Sequence, residues 1–285
     1  MENYRYTDDT KTSIYFGLYP QTQVIDEALI ERLNKKIESL NKNIAPLDIN
    51  KYRESNIRNL EDFFIDIEFS GNKYRKHDGI WFKFEPIKWR ILSTNEKEAF
   101  ILSDLLLDSK VYSSGLWKPE SVMDYQGNYN KEKIYVTNYK YSYVRSWLNT
   151  DFYKIAFNTL EQKIIKTTLV DNESKYILPC SEEEMVSPDV LCENTYDKIF
   201  LLSYSEIIKY FPKEDQPSDD ILHENHYIVA DGSEYVREGY EFYWLRSPER
   251  EHRMITSGIH GSFLCNSGAF INSCNGVRPA CVIEL

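Results

Sequence analysis

Phe242-Tyr-Trp-Leu245, Met254-Ile-Thr-Ser-Gly-Ile259, Ser262-Phe-Leu264 and Val277-Arg-Pro-Ala-Cys-Val-Ile283 are short apolar pieces separated by Gly, Ser and Asn. Helical periodicity is absent from these last 45 or so residues. Their texture predicts a small antiparallel sheet with exposed connecting loops. Helical segments upstream then make the chain α+β rather than all-β.

Working back from that sheet, Ile199-Phe-Leu-Leu202 predicts a buried strand, and Ser203-x-x-Glu206 a capping box that opens a helix over Ile207 to Phe211. Thr159-x-x-Gln162 predicts a second box before Leu160 to Lys166, and Tyr143 to Leu148 a further helix. Lys110 to Lys140, rich in Tyr, Ser, Asn and Gly, is a long excursion. Ile80 to Leu92 is the strongest strand of the first half. Ile87, Trp89 and Ile91 share one of its faces, Pro86 marks a bend or an edge, and Ala99 to Leu102 is its partner. Phe63 to Phe69 alternates apolar and acidic residues, as a strand with one solvated face does, and Asn72 to Gly79 is charged and turn-like. Val24, Ile25, Ala28, Leu29, Leu33, Ile37 and Leu40 form one helical stripe that Asp26 can cap. Ile14 to Gln21 predicts a short strand ending at Pro20.

Composition narrows the function classes. Asp and Glu outnumber Lys and Arg, 45 to 34, and the net charge of −11 repels phosphate backbones, so no nucleic-acid partner is expected. No run approaches 18 apolar residues, so no membrane span is expected. Met1 to Asp9 is polar, without the apolar core of an export signal. The expected location is therefore cytoplasmic, or extracellular if an export signal lies outside this sequence. The five Cys (180, 192, 265, 274, 281) lack a Cys-x-x-Cys pair. They are expected as reduced thiols, with a Cys265–Cys274 disulfide as the lesser alternative. The 22 Tyr and 14 Phe serve either a core or an interface.

Six motifs in series carry a resemblance: Gly17-Leu-Tyr-Pro-Gln21, Glu85-Pro-Ile-Lys-Trp-Arg-Ile-Leu92, Val144-Arg-Ser-Trp-Leu-Asn149, Asp197-Lys-Ile-Phe-Leu-Leu-Ser203, Tyr243-Trp-Leu-Arg-Ser-Pro248 and Gly276-Val-Arg-Pro-Ala280. Together they resemble a bacterial family of unknown function within the C-type-lectin-like superfamily. The resemblance implies a mixed two-sheet core, flanking helices and long loops near the C-terminus. It also implies one domain over residues 1–285, with an N-terminal helical insertion at 22–80. Superfamily members include sugar binders, protein binders and a few oxidases, so the fold alone settles no activity.

Each chemical candidate has a competing structural role. Trp89, Trp147, Trp244, Arg246 and Arg278 read as a structural signature, the arginines stacking on an indole or forking onto a carboxylate. The alternative reading makes the arginines an anion site. Calcium-dependent sugar binding is not expected, because Glu85-Pro is followed by Ile87, and Glu182 to Glu184 and Asp219-Asp220 read as solvated charge. His223-Glu-Asn-His226 is one residue short of the zinc-protease helix, and a site would need His252 or His260 as well. Cys265 and Cys274 lie where certain oxidases of this fold carry a cysteine pair, though the spacing does not match. No Gly-x-Ser-x-Gly elbow and no Gly-rich phosphate loop occurs, and no cofactor is expected.

The stretch between Pro248 and Gly276 crowds charged, amide and aromatic groups onto loops. Arg250, His252, Arg253, His260, Phe263, Asn266, Phe270, Asn272 and Asn275 are its candidate contacts. The leading expectation is a non-catalytic, calcium-independent module that binds a protein or a glycan there. The alternatives are a thiol- or metal-dependent oxidase related to sulfatase-modifying enzymes, and a structural accessory domain using Tyr125 to Tyr143. The sequence does not set the oligomeric state.

Overall fold

A computed structural model describes residues 5–6, 12–41, 64–77, 79–113, 137–172, 192–211, 242–250, 253–258, 269–270 and 274–285. For residues 5–6, 41, 242, 249–250, 253–258 and 269–270 the backbone alone is described. The chain is mixed α+β, with mostly antiparallel sheets and a few helices. It divides into two compact units, Pro20–Glu85 and the remainder.

The smaller unit is built on a hairpin. Strand β3 (Phe64–Phe69) and strand β4 (Asn72–His77) are joined by Ser70-Gly71, both at positive φ (50° and 77°), the two-residue turn whose twist matches a hairpin. Strand β4 also pairs with the first residues of β5 (Ile80–Thr94). Asn72 to His77 is therefore a strand and not the turn that its charges suggest. Those charges are met locally: Arg75 lies opposite Asp66 and forks onto it at 2.7 and 3.0 Å, with its guanidinium 3.5 Å from the Phe64 ring. Helix α1 (Glu27–Asn41) is capped as expected, Asp26 Oδ1 accepting from Ala28 N and Leu29 N. Its apolar stripe buries Leu33 and Ile37 with Ile67, Tyr74 and Trp81, and Asn34 accepts from the Trp81 indole at 3.1 Å.

In the larger unit one sheet runs β1 (Arg5–Tyr6), β2 (Ser13–Gln23), β5, β6 (Glu98–Ser103), β15 (Ala280–Glu284), β10 (Ile199–Phe200). Strand β2 continues through Pro20 rather than stopping there; β1 pairs only with Tyr15 and Ile14, well short of the proline. Alternation along β5 sends Ile87 and Trp89 into the core, and the Trp89 indole donates to Phe16 O at 2.6 Å. A second sheet runs β13 (Ala269–Phe270), β12 (Arg253–Gly258), β11 (Phe242–Arg250), β14 (Cys274–Val277), β7 (Asp108–Val111). Two features depart from a simple antiparallel sheet. Strands β11 and β14 pair in parallel, and Val277 to Ile283 is two strands in different sheets, parted at Arg278-Pro279. A two-stranded ribbon, β8 (Thr168–Val170) with β9 (Thr195–Asp197), completes the strands among the described residues.

Helix α2 (Tyr143–Trp147) passes through a π-helical turn (Leu148–Phe152) into α3 (Tyr153–Ala156), followed by α4 (Thr159–Ile164) and α5 (Tyr204–Tyr210). The Ser203/Glu206 box opens α5 as expected. The box of α4 lies one residue earlier than expected, at Asn158 and Glu161, because the Asn158 amide oxygen reaches both Leu160 N and Glu161 N while Glu161 accepts from Asn158 N. The long Phe152, Phe157, Trp147, Trp89 and Tyr19 side chains interlock at ring distances of 5.1 to 6.2 Å and fill the space between helices and sheet.

Gly17 makes this close approach possible. Its φ is +74°, and a Cβ there would lie 2.7 Å from Phe157 Cε1 and 2.8 Å from Ala156 O. Gly71 has a similar φ, with open space around it. Gly17→Ala is therefore expected to cost about 2 to 4 kcal/mol, strain and overpacking together. Gly71→Ala should cost about 1 kcal/mol, from the left-handed conformation alone. Urea unfolding of the two variants measures the difference, and equal losses would refute the packing account.

Candidate functional site

The five-stranded sheet carries four of the C-terminal candidate residues, Arg250, Arg253, Phe270 and Asn275, and its middle is fixed by buried polar staples. The Trp244 indole donates to Lys110 O at 2.7 Å across β14, with its ring edge-on to Tyr112. Arg246, buried in β11, forks onto Glu206 at 2.5 and 3.0 Å and also donates to Leu201 O (2.6 Å) and Asp171 O (3.1 Å). Ser247 Oγ accepts from Tyr204 N at the start of α5. Arg278 donates to Ser103 O at 2.8 Å and stacks near Tyr243 and Phe211. Trp147 is buried beneath the Lys110 ammonium, 5.3 Å away. Tyr19 donates to Asp108 at 2.5 Å.

The register divides the nine candidate contacts. Arg250 lies opposite Arg253, and Arg253 opposite Phe270, so three of them fall on neighbouring strands at one end of the sheet. Asn275 is not with them. It sits in β14 opposite Lys110, while Gly276 pairs with Tyr243 at the start of β11. Most of the length of β11 therefore separates it from Arg250, roughly 20 Å. Its side-chain nitrogen is buried with no hydrogen-bond partner among the described residues. His252, His260, Phe263, Asn266 and Asn272 lie outside the described residues. So do Met1 to Tyr4, Thr7 to Asp9, Glu182 to Glu184, Pro212 to Asp220, His223 to His226, Ser262 to Leu264, Cys180, Cys265 and most of Tyr125 to Tyr143.

Among the described residues no group of three or more His, Cys, Asp or Glu side chains is placed to hold a metal ion, and no helix is long and apolar enough to cross a membrane. Cys192 and Cys281 are free thiols. Burial pushes the thiols of Cys192 and Cys281 up, the second strongly. It also pushes the Tyr112 and Tyr139 phenols up, so both rings stay protonated and serve as core.

A charged cluster that the sequence reading did not single out lies at Asp104. Lys88 Nζ and Arg90 Nη2 meet its two carboxylate oxygens at 2.9 and 3.3 Å, and Arg278 Nη2 lies 3.4 Å from its carbonyl. Burial raises the carboxyl's pKa, but the hydrogen bond and charge of Lys88, with Arg90 and Arg278, outweigh that and hold it below its ordinary value. Alternation in Pro86-Ile-Lys-Trp-Arg already places Lys88 and Arg90 on one face of β5. Nothing local points to Asp104 as their shared partner.

The chain belongs to the family described as a domain of unknown function (DUF6273), matched over residues 96–285. That span runs from β6 to the end of β15. No curated protein and no solved structure gives a significant match.

Two outcomes follow. In the native protein, Cys192 and Cys281 are expected to resist iodoacetamide and to label only after urea unfolding, read by peptide mass spectrometry. Asp104→Asn is expected to cost about 1 to 3 kcal/mol at pH 7. Because the folded pKa is depressed, this stability is present above the ordinary value of 3.8 and is lost as pH falls through and below it. The gap between wild type and Asp104→Asn should therefore close in acid. A gap constant from neutral pH down to about pH 3 would rule out the ion-pair cause.

Proposed function

We propose that this member of the DUF6273 family is a C-type-lectin-like recognition module. It binds a protein or a glycan without calcium and without catalysis, through the end of the five-stranded sheet that holds Arg250, Arg253 and Phe270. The observation that carries this reading is the register of β11, β12 and β13, which brings those three positions into one row. The row begins just past the stapled positions Trp244, Arg246 and Ser247, so a rigid base supports the contact residues. Two guanidinium groups and one aromatic ring are residue types favoured at recognition interfaces. The lectin-like fold is supported by the two sheets, the flanking helices and the long connection between β12 and β14. Where calcium-binding relatives of that fold carry an oxygen ligand after Glu-Pro, this chain has Ile87, 1% exposed.

Glycan and protein arrays probed with and without EDTA, using wild type and the Arg250→Ala/Arg253→Ala double variant, test the reading. Specific signals that survive EDTA and fall about tenfold or more in the variant, at unchanged thermal stability, are expected. Elemental mass spectrometry on the same sample separates the oxidase alternative. Stoichiometric copper or zinc, lost on replacing Cys265 or Cys274, would replace recognition with catalysis as the function.

A further inference from the structure

Lys88 and Arg90 leave the same face of β5 and remain partly open, with side chains 42% and 27% exposed. Both converge on the one carboxylate of Asp104, which is 9% exposed, while Arg278 lies behind it on the Ser103 and Asp104 carbonyls. The Phe211 ring stands 5.7 Å from both guanidinium carbons and walls the cluster on one side. Two cations thus share one carboxylate and a third lies behind it on backbone carbonyls, an excess of two positive charges among the described residues.

Neutralising Asp104 does not call for that excess. One cation neutralises Asp104, and each further cation repels the first, the more so at a half-buried position where screening is weak. The donors lead to the same conclusion. Asp104 takes one hydrogen bond from Lys88 and one from Arg90, which leaves the Nε and Nη1 groups of Arg90 and two ammonium protons of Lys88 with no partner among the described residues. Arg246 offers the contrast, since its fork is filled by Glu206. Side chains at alternate strand positions stand about 7 Å apart, a separation at which an ammonium and a guanidinium can close on one tetrahedral anion.

We infer that Lys88 and Arg90, backed by the charge of Arg278, form a binding site for a dianionic phosphate group. Asp104 holds the two contact cations in position when the group is absent. A dianion matches the excess of two, whereas a single carboxylate leaves one charge uncompensated. The phosphate is either the free ion or the head of a small monoester lying along Phe211. This site is separate from the Arg250, Arg253 and Phe270 row, and it stands or falls independently of the recognition reading.

The test is a titration of the purified full chain at mildly alkaline pH, where phosphate is dianionic, and at constant ionic strength. Inorganic phosphate, glycerol phosphate and acetate serve as probes, with melting temperature and backbone-amide shifts as readouts. Phosphate is expected to raise the melting temperature saturably and to move the amides of β5 and of Ser103 and Asp104, while acetate does neither. Tighter binding of glycerol phosphate than of inorganic phosphate identifies the monoester as the ligand; the reverse identifies the free ion. Lys88→Gln/Arg90→Gln should weaken phosphate binding about tenfold or more. Asp104→Asn, which removes the competing anion, should tighten it several-fold although the protein is less stable. A wild-type response that does not saturate, or that acetate reproduces, overturns the site. So does an unchanged affinity in the double variant or a weaker one in Asp104→Asn. If a variant fails to fold, the wild-type contrast between phosphate and acetate decides alone.

Discussion

At the centre of the larger unit one guanidinium, that of Arg246, ties four segments of chain together. A buried cation is tolerable only when it is well hydrogen-bonded and faces an anion, because desolvation alone costs several kcal/mol. Glu206 supplies the fork, and Leu201 and Asp171 supply carbonyls. Glu206 is itself the closing residue of the α5 capping box, so its carboxylate satisfies Ser203 N as well as the arginine. Arg246 in particular would be left charged and buried if Glu206 were removed. The start of α5, the end of β10, the segment after β8 and the middle of β11 are therefore set by a single constraint.

The same economy recurs wherever two sequence motifs meet. Arg145 pairs with Asp197, and Asn149 accepts from Lys198 N and Ile199 N while donating to Ile199 O. Trp89 is bonded to Phe16 O, one residue before the Gly17 motif. Lys88, Arg90 and Arg278 share Asp104. Irregular connections cannot satisfy their own buried backbone groups, so fixed side chains from elsewhere must do it. This is why the chemically noticeable residues of the sequence gather at junctions. It also explains how a chain with many irregular connections keeps an ordered core.

What was legible in the sequence follows the range of the physics. The Asp26 cap, the Ser203/Glu206 box, the Leu29, Leu33 and Ile37 part of the α1 stripe and the burial of Ile87 and Trp89 all rest on neighbours within a few residues, and each was readable; Ile25 and Leu40, read into the same stripe, are exposed. Asn72 to His77 was misread because Asp66 and Phe64 compensate its charges, and no local rule announces that pairing. The one-residue shift at Asn158 reflects competition between two acceptable caps, settled by which side chain reaches two amides. The break at Arg278-Pro279 and the parallel pairing of β14 depend on which sheet each half joins, a wholly tertiary matter. At the site, proximity in sequence grouped Asn275 with Arg250 and Arg253. The strand register separates it from them, because spacing along a loop carries no information about register.

Net charge and local charge act over different distances, and the cluster at Asp104 shows why both must be considered. A surplus of acidic residues spread over the surface repels a long polyanion, which must approach across many Debye lengths and contact a wide area. A single small anion meets a different field. Once within roughly 8 Å it is screened from most of the surface and senses mainly the groups it touches. There the partly open Lys88 and Arg90, with Arg278 behind them, outweigh Asp104. The acidic composition that argues against nucleic acid therefore does not argue against a phosphate bound one at a time.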